Sequence, residues 1–92
     1  MIRSFRHKGL RDFAETGEAR RLSIPNAERV RRILAQLDAA KRASDMDLPG
    51  YRFHELKGDR KGTFAVKASG NYRITFRWDG EDAFDVDLED YH

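Results

Sequence analysis

The spacing of apolar residues changes once along this 92-residue chain, at Tyr51, and that change constrains the fold more than any other feature. Before Tyr51, apolar residues recur with the period of an amphipathic helix, whereas after it they alternate with polar residues as in half-buried strands. Helices that come first and strands that follow, joined by short turns, are typical of an α+β domain. The sequence therefore predicts two N-terminal helices packed on one face of a small, mainly antiparallel sheet, as one domain over residues 1–92.

Two helices are predicted in the first half. The first runs from His7 to Thr16 and is followed by Gly17, a residue suited to the position after a helix. The second runs from Pro25 to Ala43, with Pro25 in its first turn. Its apolar stripe contains Ala27, Val30, Ile33, Leu34, Leu37 and Ala40. A short, partly apolar segment at Met1–Phe5 is predicted as an edge strand.

Four strands are predicted in the second half, joined by turns at Lys57–Gly62, Ser69–Gly70 and Asp79–Gly80. They are Tyr51–Leu56, Thr63–Ala68, Asn71–Trp78 and Ala83–Leu88. For apolar residues to meet across the last hairpin, its loop needs an odd number of residues. A three-residue loop then pairs Phe76 with Phe84, Ile74 with Val86 and Arg73 with Asp87, and leaves Arg73 facing solvent or a partner.

Charge is distributed unevenly along the chain. Residues 1–78 contain 18 Lys and Arg and 9 Asp and Glu, a net of +9, while residues 79–92 contain 7 acids and no Lys or Arg, a net of −7. Arginine outnumbers lysine 13 to 5, which suits bidentate contact with phosphate. Solubilising surface charge explains the composition equally well. The acidic hairpin tip at Asp79–Asp82 is expected to point away from any nucleic acid.

Several classes of protein and site are not supported by the sequence. The absence of cysteine excludes disulfide scaffolds and Cys-based zinc sites. No apolar run approaches the roughly 20 residues of a membrane span, and no signal-peptide core is present, so a soluble cytoplasmic protein is expected. His7, His54 and His92 lack the spacing of metal ligands, so neither a metal nor a cofactor is expected.

Three groups of residues can carry chemistry. Arg73, in a central strand, can grip a phosphate, although spacing alone favours a cross-strand ion pair with Asp87 or Asp85. Lys57 begins a basic loop bracketed by glycines, which can approach a phosphate or simply solubilise a turn. The chain ends with Asp90, Tyr91 and His92, a group that offers proton transfer and a stacking ring.

Three stretches of the chain resemble the HigB family of bacterial toxins, within the wider RelE-like superfamily. They are Tyr51-x-Phe53-His54-x-Leu56-Lys57-Gly58-Asp59-Arg60-x-Gly62, Asn71-Tyr72-Arg73-Ile74-Thr75-Phe76, and Asp82-Ala83 together with Glu89-Asp90-Tyr91-His92. The opening Met1–Leu10 looks like the same family. Family members are compact α+β proteins of the RelE-like microbial ribonuclease fold that cut messenger RNA in the ribosomal A site.

The resemblance implies roles for individual residues and partners. His92 is the implied proton-transfer group, with Asp90 and Tyr91 beside it and possible help from His54, while Lys57 and Arg73 stabilise the phosphate. Further contacts to RNA or the ribosome are expected from Arg29, Arg31, Arg32, Arg42, Arg60 and Lys61. The implied partners are the ribosome, messenger RNA and a HigA-like helix-turn-helix antitoxin, with operator DNA contacted only through the antitoxin complex. A non-catalytic, gyrase-poisoning toxin of the ParE type and an RNA- or ribosome-binding regulator stay open as alternatives.

Overall fold

The computed structural model describes residues 1–20, 22 and 24–91. In these residues it contains two α-helices, two short 3-10 helices at Ala43–Met46 and Gly58–Arg60, and four strands. The longer elements are α1 (Lys8–Thr16), α2 (Ala27–Ala39), β1 (His54–Glu55), β2 (Thr63–Ser69), β3 (Tyr72–Asp79) and β4 (Asp82–Asp90). The strands form one antiparallel sheet in the order β1-β2-β3-β4, which confirms the predicted α+β meander.

Helix α1 begins and ends at local interactions that its sequence encodes. His7 precedes the helix, and its ring Nδ1 accepts a hydrogen bond from the Leu10 N–H at 2.9 Å, which satisfies one of the unpaired donors of the first turn. Gly17, with φ of +77°, ends the helix and donates its N–H to the Phe13 carbonyl. This confirms the predicted glycine terminus. Leu10 and Phe13 lie between the two ends and are buried in the core.

Helix α2 is shorter than predicted at both ends. Its cap is Asn26, whose side chain accepts a hydrogen bond from the Arg29 N–H at 3.1 Å, so Pro25 precedes the helix. The helix ends at Ala39 because Ala40 adopts extended backbone, with ψ of 144°. The predicted apolar stripe is nevertheless correct, since the buried residues of α2 are Val30, Ile33, Leu34 and Leu37.

A β-bulge in β4 sets the register of the β3–β4 hairpin. Arg77 pairs with Phe84 on the turn side and Thr75 pairs with Asp87 on the far side. Two residues of β4, Asp85 and Val86, therefore lie opposite the single residue Phe76. Asp85 has φ of +52°, a left-handed conformation that Asp tolerates better than most residues. The predicted three-residue loop is wrong, because Asp79 pairs with Asp82 and the bulge restores the match between the apolar faces.

The bulge changes which side chains of β4 face the core. Ala83, rather than Phe84, is fully buried beside Trp78. Phe84 lies on the same face as Arg77, whose guanidinium carbon is 5.2 Å from the ring centroid. The predicted pairs of this hairpin are corrected accordingly: Ile74 pairs with Leu88, and Arg73 pairs with Glu89 and not with Asp87.

The N-terminal segment runs parallel to β4 and covers its outer edge. The Arg3 N–H donates to the Ala83 carbonyl and the Arg6 N–H to the Val86 carbonyl, each at 2.8 Å. Unpaired sheet edges promote association with other chains, so this pairing protects β4. The predicted edge strand is therefore present as two isolated bridges, Ile2 to Ala83 and Phe5 to Val86, and not as a continuous strand.

The two faces of the sheet have different environments. The helices cover one face and form a core with it, whose fully buried members include Leu10, Val30, Ile33, Leu37, Met46, Val66, Ile74, Phe76 and Val86. The opposite face, here called the open face, carries Arg73, Thr75 and Arg77 of β3 and Glu89 of β4. Among the described residues, no helix is both long enough and apolar enough to cross a bilayer.

Candidate active site

Glu89 is the centre of a polar cluster on the open face. Arg73 donates to it through Nε at 3.3 Å and Nη2 at 3.1 Å, and Thr75 donates its hydroxyl at 2.9 Å. Arg60 adds a bidentate pair of hydrogen bonds, of which that from Nη1 is 3.0 Å long. We call Arg60, Arg73, Thr75 and Glu89 the Glu89 cluster.

The electrostatics of the Glu89 cluster favour the ionised form of the Glu89 carboxyl. The side chains of Glu89 and Arg73 are only 20% and 17% exposed. The hydrogen bond from Arg60 is the largest cause that lowers the pKa of the Glu89 carboxyl to about 2; Thr75 and Arg73 lower it further, while partial burial opposes the change. Two guanidinium groups against one carboxylate leave a net positive charge near neutral pH, which favours an anion.

The sheet register and one loop bring the Glu89 cluster together. Arg73 and Glu89 are direct cross-strand partners, and Thr75 lies two residues along the same face of β3. Arg60 comes from the 3-10 helix in the β1–β2 loop, and Gly58 and Gly62 of this loop have φ of +70° and +94°. This confirms that the glycines adopt backbone conformations that other residues avoid. The loop therefore delivers a second cation to a site that β3 and β4 define.

Arg73 does not face solvent as predicted, because Glu89 and Tyr91 cover it. Its guanidinium carbon is 4.8 Å from the Tyr91 ring centroid. Tyr91 in turn donates its N–H to the Asn71 carbonyl at 2.8 Å, continuing the strand pairing beyond β4. β4 stays paired with β3 through Asp90. The alternative of a cross-strand ion pair was correct in kind, but Glu89 is the partner and not Asp87 or Asp85.

His54 and Lys57 lie on the margin of the Glu89 cluster. His54 pairs with Ala65, and Ala65 pairs with Thr75, so the three residues form one row across the open face. At the usual strand spacing, the backbones of His54 and Thr75 are roughly 10 Å apart. The Nδ1 of His54 is 2.8 Å from the Arg52 carbonyl. Lys57 is exposed and immediately precedes the 3-10 helix that carries Arg60. The side chains of His54 and Lys57 are both exposed.

The C-terminal residues divide between the two faces. Asp90 pairs with Tyr72, so it belongs to the face opposite Glu89 because successive residues of a strand alternate. Its side chain does not join the Glu89 cluster. His92, the predicted proton-transfer residue, lies outside the described residues. Of the predicted chain-end group, only Tyr91 contacts Arg73 in the described part.

The cations predicted to contact RNA differ in their contacts within the fold. Arg29 is half-buried and donates to the Gly50 carbonyl at 2.8 Å and the Lys67 carbonyl at 3.1 Å, so it links α2 to two distant segments. Arg31 pairs with an acid of its own helix, Glu28, at 3.3 Å, and Arg42 pairs similarly with Asp45 at 3.8 Å. Arg32 and Lys61 are exposed. Contact with RNA stays a prediction for all six cations: Arg29, Arg31, Arg32, Arg42, Arg60 and Lys61.

The acidic hairpin tip is partly neutralised by the N-terminal segment. Arg3 pairs with Asp79 at 3.4 Å and Asp82 pairs with the N-terminal ammonium at 3.3 Å. The tip lies six residues along β3 from Arg73, which is roughly 20 Å in a strand. Within the described ranges, no group of three or more His, Cys, Asp or Glu is arranged to hold a metal.

Glu89 and Thr75 are the residues of this site that sequence reasoning missed. Glu89 lies in the motif at the chain end, but the sequence does not indicate a role for it, because its pairing with Arg73 depends on the bulge. The arrangement can stabilise added negative charge, since Arg73 is held in a fixed orientation before a ligand arrives. Such a preorganised cation is chemically suited to a phosphate group.

The sequence is similar to those of known proteins. A family model described as RelE-like toxin of type II toxin-antitoxin system HigB matches residues 3–92. The chain is 36% identical over 92 residues to Endoribonuclease HigB of Proteus vulgaris, with 100% of both chains covered. It is 39% identical over 82 residues to Toxin HigB-1 of Vibrio cholerae serotype O1, covering 85% of this chain and 84% of that relative.

Proposed function

The chain belongs to the HigB-like family of RelE-like toxins of type II toxin–antitoxin systems, and from that premise we propose that it is an endoribonuclease that cuts messenger RNA in the ribosomal A site. Its action stops translation, in the cytoplasm where ribosomes work. A helix-turn-helix antitoxin of the HigA type is the proposed silencing partner, with operator DNA contacted only through their complex. The relative in Proteus vulgaris, which aligns with this chain over its full length, is named an endoribonuclease.

The observation that carries this proposal is the orientation of Arg73 by Glu89 beneath Tyr91. Cleavage of RNA through its 2′-hydroxyl forms a bond from O2′ to phosphorus and breaks the bond to O5′. The phosphorus passes through a pentacoordinate state with added negative charge on its oxygens. Arg73 and Lys57 supply positive charge to that state, and a cation that is already oriented needs no reorganisation as the charge develops.

Proton transfer is assigned to the chain-end residues. One group must accept the proton of the 2′-hydroxyl and another must protonate the leaving O5′. We propose His92 for one of these two transfers, since an imidazole titrates near neutral pH, with Asp90 and His54 as supporting groups. The Tyr91 ring, which is 39% exposed, orients a nucleotide beside Arg73 by stacking.

Primer extension on messenger RNA from purified translation reactions tests the proposal. The wild-type protein should produce cuts within the open reading frame when ribosomes translate, and leave naked RNA largely intact. His92→Gln and Arg73→Ala should each abolish the cuts. Arg20→Ala is the matched control, because Arg20 is exposed and pairs with Glu18 at 2.7 Å on another part of the surface.

The outcomes separate the nuclease from its alternatives. Full cleavage by His92→Gln would exclude proton transfer by His92, and equal cleavage of naked RNA would exclude ribosome dependence. Growth arrest without any cuts would favour a toxin that acts by binding. Circular dichroism of each variant, and its binding to the antitoxin, should match the wild type so that loss of cleavage reports chemistry and not folding.

A further inference from the structure

A second polar cleft lies on the open face next to the Glu89 cluster. Its volume is about 250 Å³, which is smaller than the pockets that hold drug-sized ligands. Thr75 and Arg60 border it on the side of the Glu89 cluster. Its cations are Arg6, Arg60, Lys61 and Arg77, and its acids are Asp59 and Asp85.

The cations of this cleft come from separate segments and converge through backbone contacts. Arg6 follows the N-terminal segment and is anchored by its N–H to the Val86 carbonyl at 2.8 Å. Arg77 projects from β3, and its guanidinium lies over the Phe84 ring, which the bulge turns to the open face. Lys61 follows the 3-10 helix that carries Arg60. Because Glu89 already pairs with Arg60, the cleft has three further cations against two acids, a net charge of +1.

Arg6 and Lys61 differ from the other two cations of the cleft in their side-chain contacts. Across the described part of the chain, neither the Arg6 nor the Lys61 side chain takes part in a hydrogen bond, an ion pair or a ring contact. Both are exposed. By contrast Arg60 is already paired with Glu89, and Arg77 contacts only an aromatic ring. The cleft therefore offers unneutralised positive charge beside a site that is itself positive.

We propose that this cleft is a second phosphodiester site, which binds a backbone phosphate of RNA away from the phosphate that is cut. The proposal rests on the proposed function for the identity of the ligand as RNA. Arg77 and Arg73 are four residues apart on one face of β3, roughly 13 Å in a strand. Because Glu89 and Tyr91 hold Arg73 while Arg77 lies over Phe84, we assign the two arginines to different phosphates. The acids Asp59 and Asp85 limit the site to one singly charged diester.

Binding of an uncleavable RNA tests this site independently of cleavage. The probe is a fluorescein-labelled single-stranded RNA octamer in which every ribose is 2′-O-methylated, followed by anisotropy over a series of salt concentrations. Arg6→Ala, Lys61→Ala and Arg77→Gln are compared with the control Arg20→Ala, each of which removes one positive charge. Arg6→Ala and Lys61→Ala remove no internal contact, so they report on binding even if Arg77→Gln destabilises the fold.

Each cleft variant should weaken binding about tenfold, which equals about 1.4 kcal/mol, and reduce the salt slope by about 0.7 per lost phosphate contact. The control should change affinity by about twofold or less. The same variants are also measured for binding to empty ribosomes. A loss seen with ribosomes alone would identify ribosomal RNA as the source of the phosphate, whereas a loss with the octamer identifies the substrate strand.

The proposal is overturned if the three cleft variants lose no more affinity than Arg20→Ala for both probes. Its failure is distinguishable from failure of the nuclease proposal, because the octamer cannot be cut by 2′-hydroxyl attack. His92→Gln should bind the octamer like the wild type whether or not His92 takes part in cleavage. Toxicity of His92→Gln therefore tests the chemistry, while octamer affinity of Arg6→Ala tests the cleft.

Discussion

Arg73 and Glu89 face each other directly across the β3–β4 ladder and are joined by two hydrogen bonds of 3.1 and 3.3 Å. A guanidinium has five N–H donors, so three remain for a phosphate while Glu89 holds the other two. Ordering an arginine side chain costs about 2 kcal/mol of rotamer entropy. Because Glu89 and Tyr91 have already ordered Arg73, the binding of RNA does not include this loss of side-chain entropy.

Acid should destabilise the protein through Glu89. The pKa of its carboxyl is lowered from 4.5 to about 2, chiefly by the Arg60 hydrogen bond. A lowered pKa means that the unfolded state binds more protons, so this contribution to the free energy of unfolding is complete above 4.5 and is lost as pH falls toward 2. The full loss corresponds to about 3 kcal/mol. Urea unfolding at a series of pH values measures it.

Glu89→Gln isolates this effect from the other carboxylates. The amide cannot titrate, so the difference in stability between wild type and variant should be about 1–3 kcal/mol near neutral pH and shrink in acid. The variant is less stable because Arg60 and Arg73 lose their counter-charge. If the two proteins lost stability in parallel as pH fell, the acid dependence would belong to another group.

The Thr75 hydroxyl should stabilise the ionised form of Glu89. Thr75 is 2% exposed and donates to the carboxylate at 2.9 Å. Thr75→Val keeps the shape but removes the donor, so we expect a loss of about 1 kcal/mol and a higher Glu89 pKa. An NMR titration of the Glu89 carboxyl measures the pKa. Thr75→Ser retains the donor and is the control; a raised pKa in this variant as well would point to packing and not the hydrogen bond.

The ring of Tyr91, and not its hydroxyl, should hold Arg73. The ring centroid is 4.8 Å from the guanidinium carbon, a contact worth about 0.5–1 kcal/mol at an exposed site. Tyr91→Phe should therefore cleave messenger RNA at nearly the wild-type rate, while Tyr91→Ala should be slower by about two- to fivefold. Primer extension under ribosome-saturating conditions compares them. Equal impairment of both variants would assign the role to the hydroxyl.

Arg29 and Arg32 lie in the same helix but should respond to substitution differently. Arg29→Ala removes two hydrogen bonds to backbone carbonyls and a contact with the Tyr51 ring, so we expect a loss of stability of about 2 kcal/mol. Arg32 is exposed, and Arg32→Ala should change stability by about 0.5 kcal/mol or less. Thermal unfolding measures both. Equal stability of the two variants would contradict the structural role of Arg29.

Local periodicity was sufficient to predict the elements but not their register. Leu10 and Phe13 of α1 and the stripe of α2 are buried as their spacing indicates. The bulge could not be predicted in the same way, because Phe84, Val86 and Leu88 alternate without interruption and nothing in that pattern marks an extra residue. One additional residue reverses the faces on the turn side, which is why Phe84 pairs with Arg77 and the predicted pair of Phe76 and Phe84 is wrong.

Of the Glu89 cluster, Arg60 and Arg73 could be identified from the sequence as candidate phosphate or RNA ligands. Arg73 stands in a recognisable motif, so its importance could be inferred from its neighbours in sequence. Glu89 acts through a partner 16 residues away, and Arg29 is half-buried because Gly50 and Lys67 present carbonyls to it from distant segments. Contacts of this kind depend on the packing of elements against each other, which apolar spacing along one element does not specify.

Substitutions of Asp85 should separate the effect of backbone strain on stability from the effect of its charge on RNA binding. Its φ of +52° is accessible to glycine without a steric penalty but disfavoured for alanine. Asp85→Ala should therefore lower stability by about 1 kcal/mol relative to Asp85→Gly.

Both variants remove an acid from the cleft that contains Arg77, so both should bind the methylated RNA octamer more tightly than the wild type. Urea unfolding and anisotropy measure the two effects separately. Equal stability of the variants would contradict the left-handed bulge, and unchanged RNA affinity would show that Asp85 does not face the bound phosphate.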